Sequence, residues 1–120
     1  MIRGIKFASI PVADQDRAIA FYTEKLGFRI LTDQPFDGKQ RWIELGIAGA
    51  DTKVVLFQYD EGPKPGSTMT VTFWTDDVEG TYRELKAKGV EFEVEPTKQP
   101  WGTFTILKDI DGNKFVLGTK

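Results

Sequence analysis

The sequence predicts an α+β chain made of two βαβββ modules. Three observations predict it: a helical pattern that recurs 62 residues later, eight short stretches of strand-like alternation, and turn residues that separate them. A repeated unit of about 60 residues buries little core alone, so the halves are expected to pack together. The expected organisation is a single domain over 1–120, with modules at about 1–60 and 67–120.

The first module opens with alternation over 3–10. Residues 14–26 then read as a helix: Asp14 suits the N-cap, Asp16 the first turn, and Ala18, Ile19, Tyr22 and Leu26 fall on one face. Lys25 sits in its last turn, and Gly27 supplies the left-handed residue that ends it. Strands at 28–33, 40–46 and 53–59 follow, divided by Asp37-Gly38 and by Gly49-Ala50-Asp51. The stretch YDEGPKPGS, 59–67, reads as a connection between halves, with GPKPG either plain linker or the rim of a site.

The second module repeats the scheme. After a strand at 68–74, Asp76 with Glu79 forms a D-x-x-E capping pattern, Val78, Tyr82 and Leu85 share a face, and Gly89 ends the helix. Strands are expected at 90–95, 102–108 and 114–118, with Asp111-Gly112-Asn113 as the last turn. Asp14 and Asp76, like Gly27 and Gly89, lie 62 residues apart.

Composition narrows the chemistry. The chain has 40% hydrophobic and 28% charged residues and a formal net charge of −2, without a basic run, which argues against a nucleic-acid or anionic-membrane footprint. It has no cysteine, so disulfides, zinc–thiolate sites and thiol nucleophiles are excluded. It has no histidine, which removes the commonest metal ligand and general base. With no signal-peptide pattern and no apolar run of membrane length, the expected location is the cytoplasm.

Three strings, SIPVADQDRAIAFYTEKLGF at 9–28, FWTDDVEGTYRELKAKGVEF at 73–92 and WGTFTILKDIDGNKFVL at 101–117, resemble the vicinal-oxygen-chelate superfamily, which includes glyoxalase I, extradiol dioxygenases and the bleomycin resistance proteins. The resemblance implies two βαβββ modules curled into an open, eight-stranded, barrel-like mixed sheet around a cavity, with the helices outside. It also implies four metal-ligand positions, one on the first and one on the last strand of each module. Counted onto this chain they are Phe7, Leu56, Thr70 and Val116, with Phe57 or Gln58 replacing Leu56 if the strand slips. None is His, Asp or Glu, and a transition metal needs three or four N, O or S donors, so no metal and no cofactor is expected. The resemblance is therefore to the metal-free, bleomycin-resistance-like branch.

Strand alternation then selects a wall. Residues sharing parity with those four positions are Phe7 and Ser9, Val54, Leu56 and Gln58, Thr70, Thr72 and Trp74, Lys114 and Val116. The opposite parity, Ala8, Ile10, Val55, Phe57, Val71, Phe73, Phe115 and Leu117, is nearly all apolar and is expected beneath the helices. Apolar walls with a few polar groups suit a small-molecule pocket, so the expected ligand contacts are Phe7, Ser9, Leu56, Gln58, Thr70, Thr72, Trp74, Trp101, Lys114 and Val116. Each has a plainer reading: tryptophans are packing area, threonines suit strands, and Lys114 is solvated. Gln58 is the more distinctive, since an amide in an apolar cavity needs a partner. Glu44 is the one strand acid with a claim to catalysis, as a general acid, and otherwise a surface charge.

The expected function is a metal-free binder of a small aromatic or polar compound, an antibiotic among them. The alternative is a lyase, isomerase or dioxygenase-like enzyme working without the usual metal, and a regulatory module with a degenerate pocket is a third. A homodimer is expected, with Phe36, Trp42 and Trp101 as interface material.

Overall fold

The computed structural model describes residues 1–120. The chain divides into two compact units, Met1–Pro65 and Gly66–Lys120. The eight strands are hydrogen-bonded as two four-stranded mixed sheets, one in each unit.

In the first unit the elements are β1 (Phe7–Pro11), α1 (Gln15–Ala20), which continues as a π-helical turn over Phe21–Lys25, β2 (Arg29–Pro35), β3 (Arg41–Gly46) and β4 (Lys53–Phe57). The sheet runs β1-β4-β3-β2, with β1 parallel to β4 and the other pairs antiparallel. Strand β1 starts at Phe7, not residue 3. Its last ladder bond joins Lys53 N to Lys6 O, and β4 offers no backbone beyond Lys53 to pair with the earlier residues.

Asp14 caps α1, accepting from Arg17 N at 3.1 Å. The expected uniform helix to residue 26 instead widens after Ala20. The Thr23 hydroxyl donates to Ile19 O at 2.7 Å, competing for the carbonyl that an α-helical N–H would use. The wider turn buries both neighbouring aromatics, Phe21 and Tyr22. Together with Ala18 they join Ile10, Ile43, Leu45, Val54 and Leu56 in the buried core of this unit.

The second unit contains β5 (Thr68–Trp74), α2 (Val78–Ala87), β6 (Glu91–Gln99), β7 (Gly102–Lys108) and β8 (Lys114–Gly118), in sheet order β5-β8-β7-β6. The cap of α2 is Asp77, one residue later than expected, and the pairing of Asp76 with Glu79 is not built. Asp77 Oδ1 accepts from Gly80 N at 2.9 Å, while Thr75 Oγ1 accepts from Asp77 N and fixes the approach. A Cβ on Gly80 would lie 2.2 Å from Asp77 Oδ2, so the cap needs glycine there. The helix ends in a Schellman motif: Val90 N donates to Leu85 O and Gly89 N to Lys86 O, with Gly89 at φ +90°. Strand β6 runs four residues past its expected end and includes Pro96, which an edge strand tolerates because one side of its backbone has no ladder to lose. Val78, Val90, Leu107, Phe115 and Leu117 are buried apolar residues of this unit.

No helix of the chain is long and apolar enough to cross a membrane.

Candidate functional site

In a β-ladder, paired residues point to the same side of the sheet. In the first unit Ile10 pairs with Leu56 and Leu56 with Ile43, a fully buried row on the helix side. The next row, Ser9, Val55, Glu44 and Thr32, points to the opposite, open side. Phe7 and Lys53 lie on that side too, as do Trp42 and Phe57. Leu56 and Val54 therefore face the core, and Val55 and Phe57 belong with Phe7 and Ser9, reversing the expected assignment on β4. Alternation settles parity within a strand, but only the register between strands says which parity matches, and here odd residues of β1 pair with odd residues of β4.

The open side of the first unit carries an aromatic cluster. The Trp42 ring meets Phe7 edge-on with centroids 5.5 Å apart, Phe36 at 5.7 Å and Phe57 at 5.7 Å. Phe57 also meets Phe36 at 5.3 Å and Tyr59 at 5.1 Å, and the Tyr59 hydroxyl is hydrogen-bonded to Ser9 Oγ. Such ring pairs contribute about 0.5–1.5 kcal/mol each beyond area burial, enough to hold the cluster in one arrangement. Val55 is buried, whereas Phe7, Trp42, Phe57 and Tyr59 are half-exposed and Phe36 is exposed. Glu44 lies on this side, half-buried, with Oε2 accepting from Trp42 Nε1 at 2.8 Å.

Gln58 is turned elsewhere. Its Nε2 donates to Ala13 O at 2.6 Å, so the amide has a backbone partner and is not an unmet group in an apolar cavity. Its backbone is gripped by Gln40, which accepts from Gln58 N and donates to Gln58 O. Gln15 does the equivalent one turn deeper: Nε2 donates to Arg41 O and Leu56 O, and Oε1 accepts from Arg41 N. This amide clamp joins the start of α1 to the ends of β3 and β4 and holds the edge from which the aromatic face is displayed. Arg41, on the helix side, bonds Asp16 at 2.6 Å and Asp33 at 2.8 Å, and those carboxylates push its pKa up.

In the second unit the pairs Thr72 with Val116 and Trp74 with Gly118 put even residues together. Thr70, Thr72 and Trp74 alternate as exposed positions along β5, and Lys114 and Val116 share their side. Phe104 and Ile106 of β7 complete it, and neither was expected there. Trp101 lies in the turn before β7, 6.0 Å from Phe104 and over Gly118, where an added Cβ would touch its ring at 3.6 Å. Lys114 Nζ is 3.0 Å from Glu93, and Lys120 Nζ stands 4.6 Å above the Trp74 ring.

The DIDGN turn before β8 is a buried polar knot. Asp109 accepts from Asp111 N, Asn113 N and Asn113 Nδ2, and Asn113 Oδ1 accepts from Gly66 N and Ser67 N. Asp109 and Asn113 escaped sequence reasoning because a D-x-D-G-N string reads simply as a turn; its signal was the buried strand on either side. Their role here is to tie the start of β5 to the start of β8.

The four positions at which relatives would hold a metal do not fit one. Phe7, Leu56 and Val116 have no donor atoms, and Thr70 offers one neutral, exposed hydroxyl. No three Asp or Glu side chains converge where they could hold an ion. A groove of about 530 Å³ does occur between α2 and β6, lined by Glu79, Tyr82, Arg83, Glu95, Pro96 and Lys98. It includes none of the expected ligand contacts, and its walls alternate in charge, which favours water over an apolar compound.

A duplicated βαβββ chain with one four-stranded mixed sheet in each half defines the class. Residues 4–117 match the model of the Glyoxalase/Bleomycin resistance protein/Dioxygenase superfamily, and the chain belongs to that family. It is 40% identical over 120 residues to the uncharacterized protein YetH of Bacillus subtilis (strain 168), with 98% of each chain covered. It resembles the crystal structure of a superfamily member from Sphaerobacter thermophilus DSM 20745, with a TM-score of 0.92 at 34% identity over 99% of this chain and 98% of that one. TnmS3, an antibiotic binding protein from Streptomyces sp. CB03234, matches with a TM-score of 0.89 at 36% identity, over 98% and 96% of the two chains.

Proposed function

We propose that this chain is a metal-free binding protein that sequesters a small planar aromatic compound. One observation carries the proposal: five aromatic rings gathered on one sheet face, four of them half-exposed and Phe36 exposed. The ligand contacts in the first unit are Phe7, Ser9, Trp42, Phe57 and Tyr59. Thr70, Thr72, Trp74, Trp101 and Val116 form a sparser platform in the second. The likeness to an antibiotic binding protein supports binding over catalysis, as does the donor-free set of Phe7, Leu56 and Val116.

The test is a titration with acridine, a neutral tricycle, followed by tryptophan fluorescence and by calorimetry. Binding is expected in the micromolar range, about −8 kcal/mol. Phe57→Ala should weaken it at least tenfold, and Trp74→Ala by less than threefold. A wild-type protein that neither quenches nor releases heat would overturn the reading, and one equivalent of tightly held metal in elemental analysis would overturn its metal-free part. We also propose that the protein is a cytoplasmic homodimer in which Phe36, Trp42 and Trp101 lie at the boundary. Sedimentation equilibrium should give twice the 13.5 kDa chain mass, and a single species at that mass would exclude the dimer.

A further inference from the structure

We infer that the aromatic face of the first unit selects a cation: its ligand is a planar aromatic compound carrying a protonated amine, and Glu44 is the residue that sets this preference. The inference rests on the reading of that face as the binding site, and goes beyond it by naming the charge of the ligand.

Glu44 is hydrogen-bonded to one ring of the cluster and ion-paired to no base. Its cross-strand neighbours are Val55, which is fully buried, and Thr32. One carboxylate oxygen accepts from Trp42 Nε1; the other has no partner, and no Lys or Arg is paired with Glu44. Lys53 and Arg29 face the same side nearer its end, and neither forms an ion pair with it. The carboxylate oxygen that Trp42 leaves free is available to an incoming ammonium, which would form a charge-assisted hydrogen bond with it. The surrounding ring faces carry negative quadrupole density and favour the same sign of guest. The indole bond adds to this, because a carboxylate drawing on Trp42 Nε1–H makes that ring richer in electrons.

The second unit shows the complementary case. One of its two exposed tryptophans, Trp74, already has a cation over it in Lys120. On the first face the rings stand beside Glu44, which is ion-paired to no Lys or Arg of the chain. An anionic planar compound would meet Glu44 with like charge and be refused.

The deciding experiment compares acridine, neutral at about pH 8, with 9-aminoacridine, protonated at that pH, by calorimetry at low salt. Wild-type protein is expected to bind the cation about tenfold more tightly. In Glu44→Gln, whose amide oxygen can still accept from Trp42 Nε1, the ratio of the two affinities should fall to near one. Equal binding of both tricycles by the wild type, or a preference that survives Glu44→Gln, overturns the inference and leaves the aromatic-face reading standing. Failure of both tricycles to bind overturns the two together. If the variant does not fold, the wild-type ratio at low and high salt decides instead: a carboxylate-driven preference shrinks as salt rises, and an unchanged ratio refutes it.

Discussion

The two modules solve the same packing problem with the same elements and then spend their open faces differently. Both bury an apolar row beneath a helix, Ile10, Ile43 and Leu56 in the first and Leu107, Phe115 and Leu117 in the second. Both end that helix on a left-handed glycine, Gly27 at φ +77° and Gly89 at φ +90°. On the open side the first module has five clustered rings and an unpaired carboxylate oxygen. The second has three threonines along β5, a tryptophan with its own lysine, one stacked ring pair in Trp101 and Phe104, and a lysine–glutamate pair. The repeat thus holds where the core dictates residue type and lapses where solvent or a ligand does. A core position is constrained by its neighbours inside the same chain. An open position is constrained only by what it meets from outside.

The fastening of the sheets differs too, and this gives the largest expected effect. The second module is tied by Asn113, fully buried, whose side chain bonds two backbone N–H groups and Asp109. Asn113→Ala should cost about 2–4 kcal/mol in urea unfolding, since it strands buried donors and a carboxylate. The first module relies on Gln15 for a comparable job, but Gln15 itself keeps 7% of its surface exposed where Asn113 keeps none. Gln15→Ala should cost less, about 1–3 kcal/mol. A Gln15 variant that proves the costlier of the two would break the comparison.

The helix ends should respond alike. Gly27→Ala and Gly89→Ala each force a side chain into left-handed backbone, at about 1 kcal/mol apiece. Gly27 has nothing within 4 Å of an added Cβ, so its cost should be backbone strain alone. Matched urea midpoints for the two variants would show that the duplication extends to the energetics of the caps; a gap well above about 1 kcal/mol would show that it does not.

The smallest effect belongs to the β2–β3 hairpin. Backbone N–H groups of Lys39 and Gln40 bond the Asp37 carboxylate and hold its pKa below the ordinary aspartate value. Because the folded pKa is the lower one, the stabilisation is present above the unfolded pKa and fades as pH falls through the folded value. An NMR titration should find Asp37 titrating below the ordinary aspartate value. Asp37 titrating at that ordinary value would show that its two backbone bonds add no stability to the hairpin.

Much of the fold was legible in the sequence, and the candidate site much less so. The 62-residue offset, the Asp14 cap, both terminal glycines and strands β5, β7 and β8 were all readable, because each follows from local backbone preference or from alternation within one segment. The shift of the α2 cap to Asp77 was not, since it depends on the Thr75 hydroxyl and on the space left by Gly80. The Gln15 and Asn113 anchors were missed for the same reason: their partners lie 26 to 47 residues away in the chain. The Gln58 amide needs a partner by its chemistry alone, and only the structure names it as Ala13 O.

By itself the sequence determined the modules, the nature of the two cores and the lack of donor atoms at Phe7, Leu56 and Val116, all of which follow from side-chain chemistry and short-range periodicity. Only the tertiary structure decided which side of β4 joins β1. A one-residue change of register exchanges every side chain between core and open face, and that register is set by pairing across 46 residues of chain. With Phe7 opposite Lys53, Leu56 goes inward and Phe57 outward, and Trp42, Phe57, Tyr59 and Glu44 are brought onto one surface.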